Sequence, residues 1–266
     1  MTFRLAGVHH VSALSAHIER THAFYPHVLG MRPVIRTVNQ DDPGMYHLFY
    51  GDGVGSPGSD MTVFGMPRAA REHRGNNSIT RTTFRVHGER ALAYWAARLN
   101  AHEVAHRGVT TRDGRRVLDF DDPVGTRLSL VDDDGADAGV PRASQGEVQR
   151  ELHVVVRDDL PRARYGSGAV HHVALRVPDG QAMDEWVDRL RTLGYPNSGI
   201  VDRHYFTSAY VREPNGVLFE LATDGPGFAV DGPLDGDRLS LPPALEPRRA
   251  EIEARLPALP AARHPR

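Results

Sequence analysis

Two short segments of the chain carry adjacent histidines: His9–His10 in GVHHVSAL (7–14) and His171–His172 in AVHHVALRV (169–177). Both read as apolar strands. Strand side chains alternate, so only one histidine of each pair is expected to face a given side. Val8, His10, Ser12 and Leu14 share one face, and Val170, His172, Ala174 and Arg176 share the equivalent face of the repeat. A third group stands in VLFELATD (217–224), where Glu220 is flanked by Leu218 and Ala222 while Phe219 and Leu221 point to a helix-packing core. A lone strand histidine is ordinarily a hydrogen-bonded structural residue, and a lone buried glutamate is ordinarily an arginine's partner. Two repeated pairs and a mid-strand carboxylate ask for more. Burying an unpaired carboxylate costs several kcal/mol, so Glu220 needs a cation. Neutral imidazoles with a carboxylate are ligands that a divalent transition metal prefers.

What is missing narrows the chemistry further. The 266 residues include no cysteine, which excludes disulfides, zinc-thiolate sites, iron–sulfur clusters and a thiol nucleophile. All 32 basic residues are arginine, so Schiff-base chemistry and a P-loop lysine are excluded as well. A formal net charge of −2 offers no electrostatic case for nucleic acid or an anionic membrane. No run approaches the roughly 18 apolar residues of a membrane-spanning helix, and the opening MTFRLAGVHHVSAL is too short of apolar length for a signal peptide. A cytoplasmic protein is expected, with any metal held by histidine and carboxylate.

The elements that position these residues repeat. Besides the HHV strands, DDPVGTRLSLVDDDG from Asp121 parallels REPNGVLFELATDG from Arg212, each a Pro-x-Gly turn feeding an alternating strand. The order βαβββ can be read three times, over 1–66, 78–133 and 168–224, which is an α+β signature. Residues 134–167 read as a linker with one strand, LHVVV (152–156). Residues 225–266 read as a proline-rich tail over the surface, with one short helix in EPRRAEIEARL (246–256).

The βαβββ units, the HHV strands and the VLFEL strand resemble the vicinal oxygen chelate superfamily, whose paired units form a cup around one metal. TVNQDDPGMYHLFYGDGVGSPG (37–58), VDRHYFTSAYVREPNGVLFELATD (201–224) and LPPALEPRRAEIEARLP (241–257) are similar to one branch, the ring-cleaving dioxygenases of hydroquinones. The resemblance implies His10, His172 and Glu220 as metal ligands. It also implies His171 or Tyr210 as acid–base group, Arg203 as holder of a phenolate, and His9 and Ser12 at the substrate. His47 is expected to be structural.

Glyoxalase-type members use four protein ligands. Here MTVFGM (61–66) offers no carboxylate in its core, and Ser129 stands where the last unit has Glu220. Two histidines and one carboxylate form the facial triad of non-haem Fe(II) oxygenases, with open positions for substrate and O₂. The implied activity is extradiol-type cleavage of a hydroquinone-like or catechol-like ring at Fe(II), with Mn(II) as the other candidate metal. The alternatives are a glyoxalase-like lyase or epimerase, or a non-enzymatic small-molecule-binding protein. The branch also implies four units, so the third is expected to be largely missing. The bare, apolar sheet of the second unit is then expected to pair with another subunit in a homodimer.

Overall fold

The computed structural model describes residues 3–133 and 151–261. The first βαβββ unit comprises β1 (Val8–Ser15), α1 (Ile18–His27), β2 (Arg32–Asn39), β3 (Asp42–Gly51) and β4 (Asp60–Gly65). The second comprises β5 (Thr82–Val86), α2 (Gly88–Ala101), β6 (His106–Arg112), β7 (Arg115–Asp121) and β8 (Arg127–Asp132). In the last are β9 (Val170–Val177), α3 (Gly180–Thr192), β10 (Val201–Asp202), β11 (Phe206–Arg212) and β12 (Leu218–Pro226), and α4 (Arg249–Arg255) follows. The α+β class and the repeated unit are as expected.

The first and last units form one curled eight-stranded sheet, in the order β10-β11-β12-β9-β1-β4-β3-β2. Its seam is the antiparallel pair of the two HHV strands, β1 and β9. Within each unit the first and last strands run parallel, as β1·β4, β5·β8 and β9·β12. Helices cover the outer face. On α3, Met183 and Val187 bury against Val177, Ala209 and Leu221, so Leu221 takes the helix side and leaves its neighbour Glu220 facing the interior.

Three expectations need correction. The second unit's sheet, β5-β8-β7-β6, packs Leu118, Phe120, Leu128 and Leu130 against Leu92 and Leu99 of α2. Its opposite face is mixed rather than bare and apolar: Arg81 and Arg112 both reach Asp119, at 3.2 and 2.9 Å, and Arg112 also donates to Ser129, beside the paired and buried Val117 and Val131. Alternation sends most of the apolar residues to the helix side. Second, residues 151–157 form no strand, pair with none of the described strands, and Val154 is 81% exposed. The rest of the expected linker, 134–150, lies outside the described residues. Third, the C-terminal tail is more than a surface drape. Ile252 is fully buried with Leu241 against Val38, and Phe228 and Leu234 pack beside Val34 and Phe49.

The tail also meets His22 on α1, whose Nδ1 lies 2.9 Å from the Tyr50 hydroxyl and whose Nε2 lies 3.2 Å from the carbonyl of Pro260. Burial, reinforced by the nearby Arg36, pushes His22 down from 6.5 to about 4. In the folded chain the ring therefore stays neutral where the unfolded chain binds a proton. Stability from this source is complete above pH 6.5 and is lost as pH falls toward 4. The His22→Gln variant is expected to lose less melting temperature between pH 7 and pH 5 than the parent, measured by calorimetry at the two values.

Candidate metal centre

The seam between β1 and β9 is irregular in two places. Val8 pairs with Leu175 and His10 with Ala174, so His9 is an extra residue in β1; Ser12 pairs with His172 and Ala13 with Val170, so His171 is an extra residue in β9. Each is a β-bulge, and a bulge breaks strict alternation and re-aims a side chain. Both rings of the first pair therefore touch Phe206, and both rings of the second touch Phe64. The expectation that one histidine of each pair turns away is not met, because alternation holds only for an unbroken ladder.

The paired rings meet through the same atoms in both strands. Nδ1 of His9 is 3.0 Å from Nδ1 of His10, and Nδ1 of His171 is 2.8 Å from Nδ1 of His172. The other nitrogens of His10 and His172 point at each other, 3.2 Å apart. Glu220 closes the triangle: its Oε2 is 3.3 Å from His10 Nε2 and 2.9 Å from His172 Nε2. Its other oxygen accepts a hydrogen bond from Ser208. All three residues are buried, and their ligand atoms lie within 4.8 Å of one another. Burial alone would raise the Glu220 carboxyl, but His10 and His172 outweigh it and hold the group well below the usual carboxylate range. Burial likewise lowers His172. Two imidazole nitrogens and a carboxylate oxygen converge, which is the donor set a divalent transition metal takes.

The register explains why, among the described residues, no fourth carboxylate or histidine joins them. Glu220 pairs with Ala174, two residues beyond His172; the matching partner in the first unit, opposite Ser12 and two beyond His10, is Thr62. In the second unit Ser129 is engaged by Arg112 and Asp119 instead. Placing the strand start at Met61 overlooked one carboxyl, Asp60, which begins β4 opposite His10 and is buried with neither oxygen paired. Burial and the neighbouring Asp52 push it well up, and it is not one of the three residues that converge.

The other residues singled out in the sequence lie around these three as follows. Arg203 donates from Nε to the Tyr210 hydroxyl at 3.2 Å and pairs with Asp41, and the Tyr210 ring lies 6.1 Å from that of His172. Burial and Glu220 raise the Tyr210 phenol, so it keeps its proton. Burial and His172 lower His171 to about 4, and burial with His10 lowers His9 to about 3. Ser12 Oγ is 2.9 Å from His172 Nε2. His47, read as structural, also faces this interior: its ring stacks on Phe64 at 3.9 Å and its Nε2 meets Thr62 Oγ1 at 3.0 Å.

A buried two-histidine, one-carboxylate set that could hold a metal ion lies on the seam of paired βαβββ units. The chain belongs to the glyoxalase/bleomycin resistance protein/dioxygenase superfamily, whose family model matches residues 7–221. Among its relatives is the Bacillus subtilis (strain 168) protein named "Putative ring-cleaving dioxygenase MhqA", 41% identical over 95% of this chain and 98% of the relative. The chlorohydroquinone/hydroquinone 1,2-dioxygenase of Sphingobium indicum is 26% identical, covering 94% of this chain and 95% of its own length. A crystal structure of a "putative dioxygenase" from Bacillus subtilis superposes with a TM-score of 0.85 at 30% identity, covering 98% of this chain and 99% of that one.

Proposed function

We propose that the protein is an Fe(II)-dependent ring-cleaving dioxygenase of the extradiol type, acting with O₂ on hydroquinone-like or catechol-like aromatics. The observation that carries this reading is the buried His10–His172–Glu220 triangle with Thr62 where a fourth carboxylate would stand. Fe(II) or Mn(II) held by these three would supply Lewis acidity toward a phenolic oxygen, together with open positions for substrate and O₂. The chain's own residues do the rest. For His10 to offer Nε2 as ligand its proton must sit on Nδ1, and His9 Nδ1 is placed to accept it; His171 does the same for His172. Arg203 faces the site as a fixed positive charge for a phenolate, and Tyr210, which it orients, donates a hydrogen bond to the oxygen where charge develops. Of the two candidate acid–base groups, His171 has its Nδ1 lone pair committed to His172, which leaves the protonated Tyr210 phenol as the proton donor of this reading. Phe49 and Phe206 wall His10 from water.

A glyoxalase-like lyase or epimerase is disfavoured by Thr62, and a metal-free binding protein by the complete ligand set. The division into units at 1–66, 78–133 and 168–224 belongs to the same reading, as does loss of most of a third unit. Alignments running over 303 to 311 positions, against 266 residues here, support that loss. A homodimer belongs to this reading as well, with β5 and β6 standing at the two ends of the second unit's sheet among the described strands. No helix among the described residues is long and apolar enough to cross a membrane, and a cytoplasmic location is part of this reading.

The function is tested by anaerobic loading with Fe(II), followed by O₂ uptake on hydroquinone, chlorohydroquinone, methylhydroquinone and catechol. Uptake that requires Fe(II) and disappears in His172→Ala is expected. One tightly bound metal per chain with no uptake on any ring would replace the dioxygenase reading with a non-oxygenase one.

A further inference from the structure

A line of hydroxyls leads away from the metal centre to a histidine that the reaction as described leaves idle. Ser12 Oγ lies 2.9 Å from His172 Nε2, the nitrogen that faces the other two ligands. The same oxygen is 2.7 Å from Thr62 Oγ1, which in turn is 3.0 Å from His47 Nε2. Three adjacent strands supply the line: β1 carries Ser12, β4 carries Thr62 directly opposite it, and β3 carries His47 opposite Phe64. Ser12 and Thr62 are fully buried, and among the described residues their hydroxyls meet each other and the two histidines. A hydroxyl both donates and accepts, which lets such a line conduct a proton in either sense.

His47 differs from the structural histidine of the same unit. In His22 both ring nitrogens are bonded, one to Tyr50 and one to Pro260. In His47 only Nε2 is engaged, by Thr62; among the described residues its Nδ1 has no partner, and the ring is partly exposed. Phe64 and Phe49, at 3.9 and 4.2 Å between ring centres, fix its orientation. When the Nε2 lone pair of His172 is given to a metal, Ser12 loses that acceptor and its hydroxyl is free for an oxygen bound beside it.

We propose that Ser12, Thr62 and His47 form a proton relay that carries the phenolic proton of the substrate out of the centre. The proposal rests on the dioxygenase reading above. The substrate O–H bond breaks as Ser12 Oγ takes the proton and passes its own to Thr62. Thr62 passes its proton to His47 Nε2, and His47 releases the one on Nδ1 to water. One proton moves from phenol to water, no electrons are transferred, and the imidazole passes between its two neutral tautomers. Neutrality throughout suits a ring whose cation burial disfavours.

The test mixes anaerobic Fe(II)-loaded protein rapidly with hydroquinone and a pH indicator, reading proton release and phenolate absorbance without any turnover. His47→Gln keeps a hydrogen bond to Thr62 but cannot shuttle a proton through itself. It is expected to slow release by about 100-fold, the usual weight of a positioned acid–base group, with affinity for hydroquinone unchanged. Added imidazole is expected to restore part of the rate in His47→Ala. Release from His47→Gln at the parent rate would overturn the relay and leave the dioxygenase reading standing. Loss of affinity at an unchanged rate would make His47 a substrate contact and overturn it too. A parent protein that binds neither hydroquinone nor catechol would overturn both.

Discussion

Replacing Glu220 with glutamine is expected to abolish metal binding and, with it, all O₂ uptake. The carboxylate is the sole anion of the triangle, and a divalent ion held by two neutral imidazoles and an amide loses the charge that offsets its own. Exchanging an outer partner of a metal ligand already costs 10–100-fold in affinity, so loss of a ligand's charge is expected to exceed about 100-fold. The fold should survive. The introduced amide would keep an acceptor for Ser208, and the metal-free protein no longer has to bury a carboxylate that only two histidines compensate. Isothermal titration with Fe(II) or Mn(II) checks the first claim, and the melting temperature of the metal-free variant checks the second. Metal bound as tightly as in the parent would place the centre elsewhere.

The largest expected effect on stability lies far from that charge. Two segments cross between the units, 70–76 and 161–167, joined by bridges of Arg71 to Ser167, His73 to Arg164 and Asn76 to Arg162. Each segment carries a glycine at the crossing. A methyl group at Gly75 would stand 2.1 Å from the carbonyl oxygen of Pro161, and one at Gly166 would stand 2.2 Å from that of Ala70. Both obstacles are backbone, so no side chain can rotate out of the way. Gly166→Ala is therefore expected to cost about 3 kcal/mol or more, the upper range for overpacking. In a domain of this size that is a fall of roughly 6–12 °C in melting temperature. Gly53→Ala, where a methyl group meets nothing within 4 Å, is the control and should stay within about 1 kcal/mol. The crossing also reaches the site. Ser167 Oγ accepts from the amide of Ala16, and the amide of Gly168 donates to Leu14, so a shifted segment moves the start of β9 and its histidine pair.

Much of the fold is local enough to be read from residue order. Apolar runs of period two, helices with apolar residues three and four apart, and Pro-x-Gly turns mark each βαβββ unit, and the observed elements follow those marks closely. The tail helix was legible for the same reason, but its burial was not. Whether Ile252 packs on Val38 depends on where a distant strand lies, and periodicity carries no such information. LHVVV failed in the opposite way: its pattern is that of a strand, and none of the described strands pairs with it.

The candidate site divides along the same line. Residue types and repeated motifs were enough to single out two histidine pairs and one glutamate, because a mid-strand carboxylate without a cation is too costly to bury by accident. They were also enough to see a carboxylate in the middle of the last strand of one unit, with none in the core of MTVFGM and Ser129 at the matching position of the second. Tertiary structure alone decided that β1 and β9 are neighbours, and that matching bulges turn both rings of each pair inward. It alone made Thr62 the counterpart of Glu220, and gave His47 a place at the end of a hydroxyl line. The physical reason is that alternation states which side of a strand a residue takes, whereas pairing register and its irregularities arise from contacts between segments 160 residues apart, where an extra residue costs the ladder one bond and changes what a side chain meets.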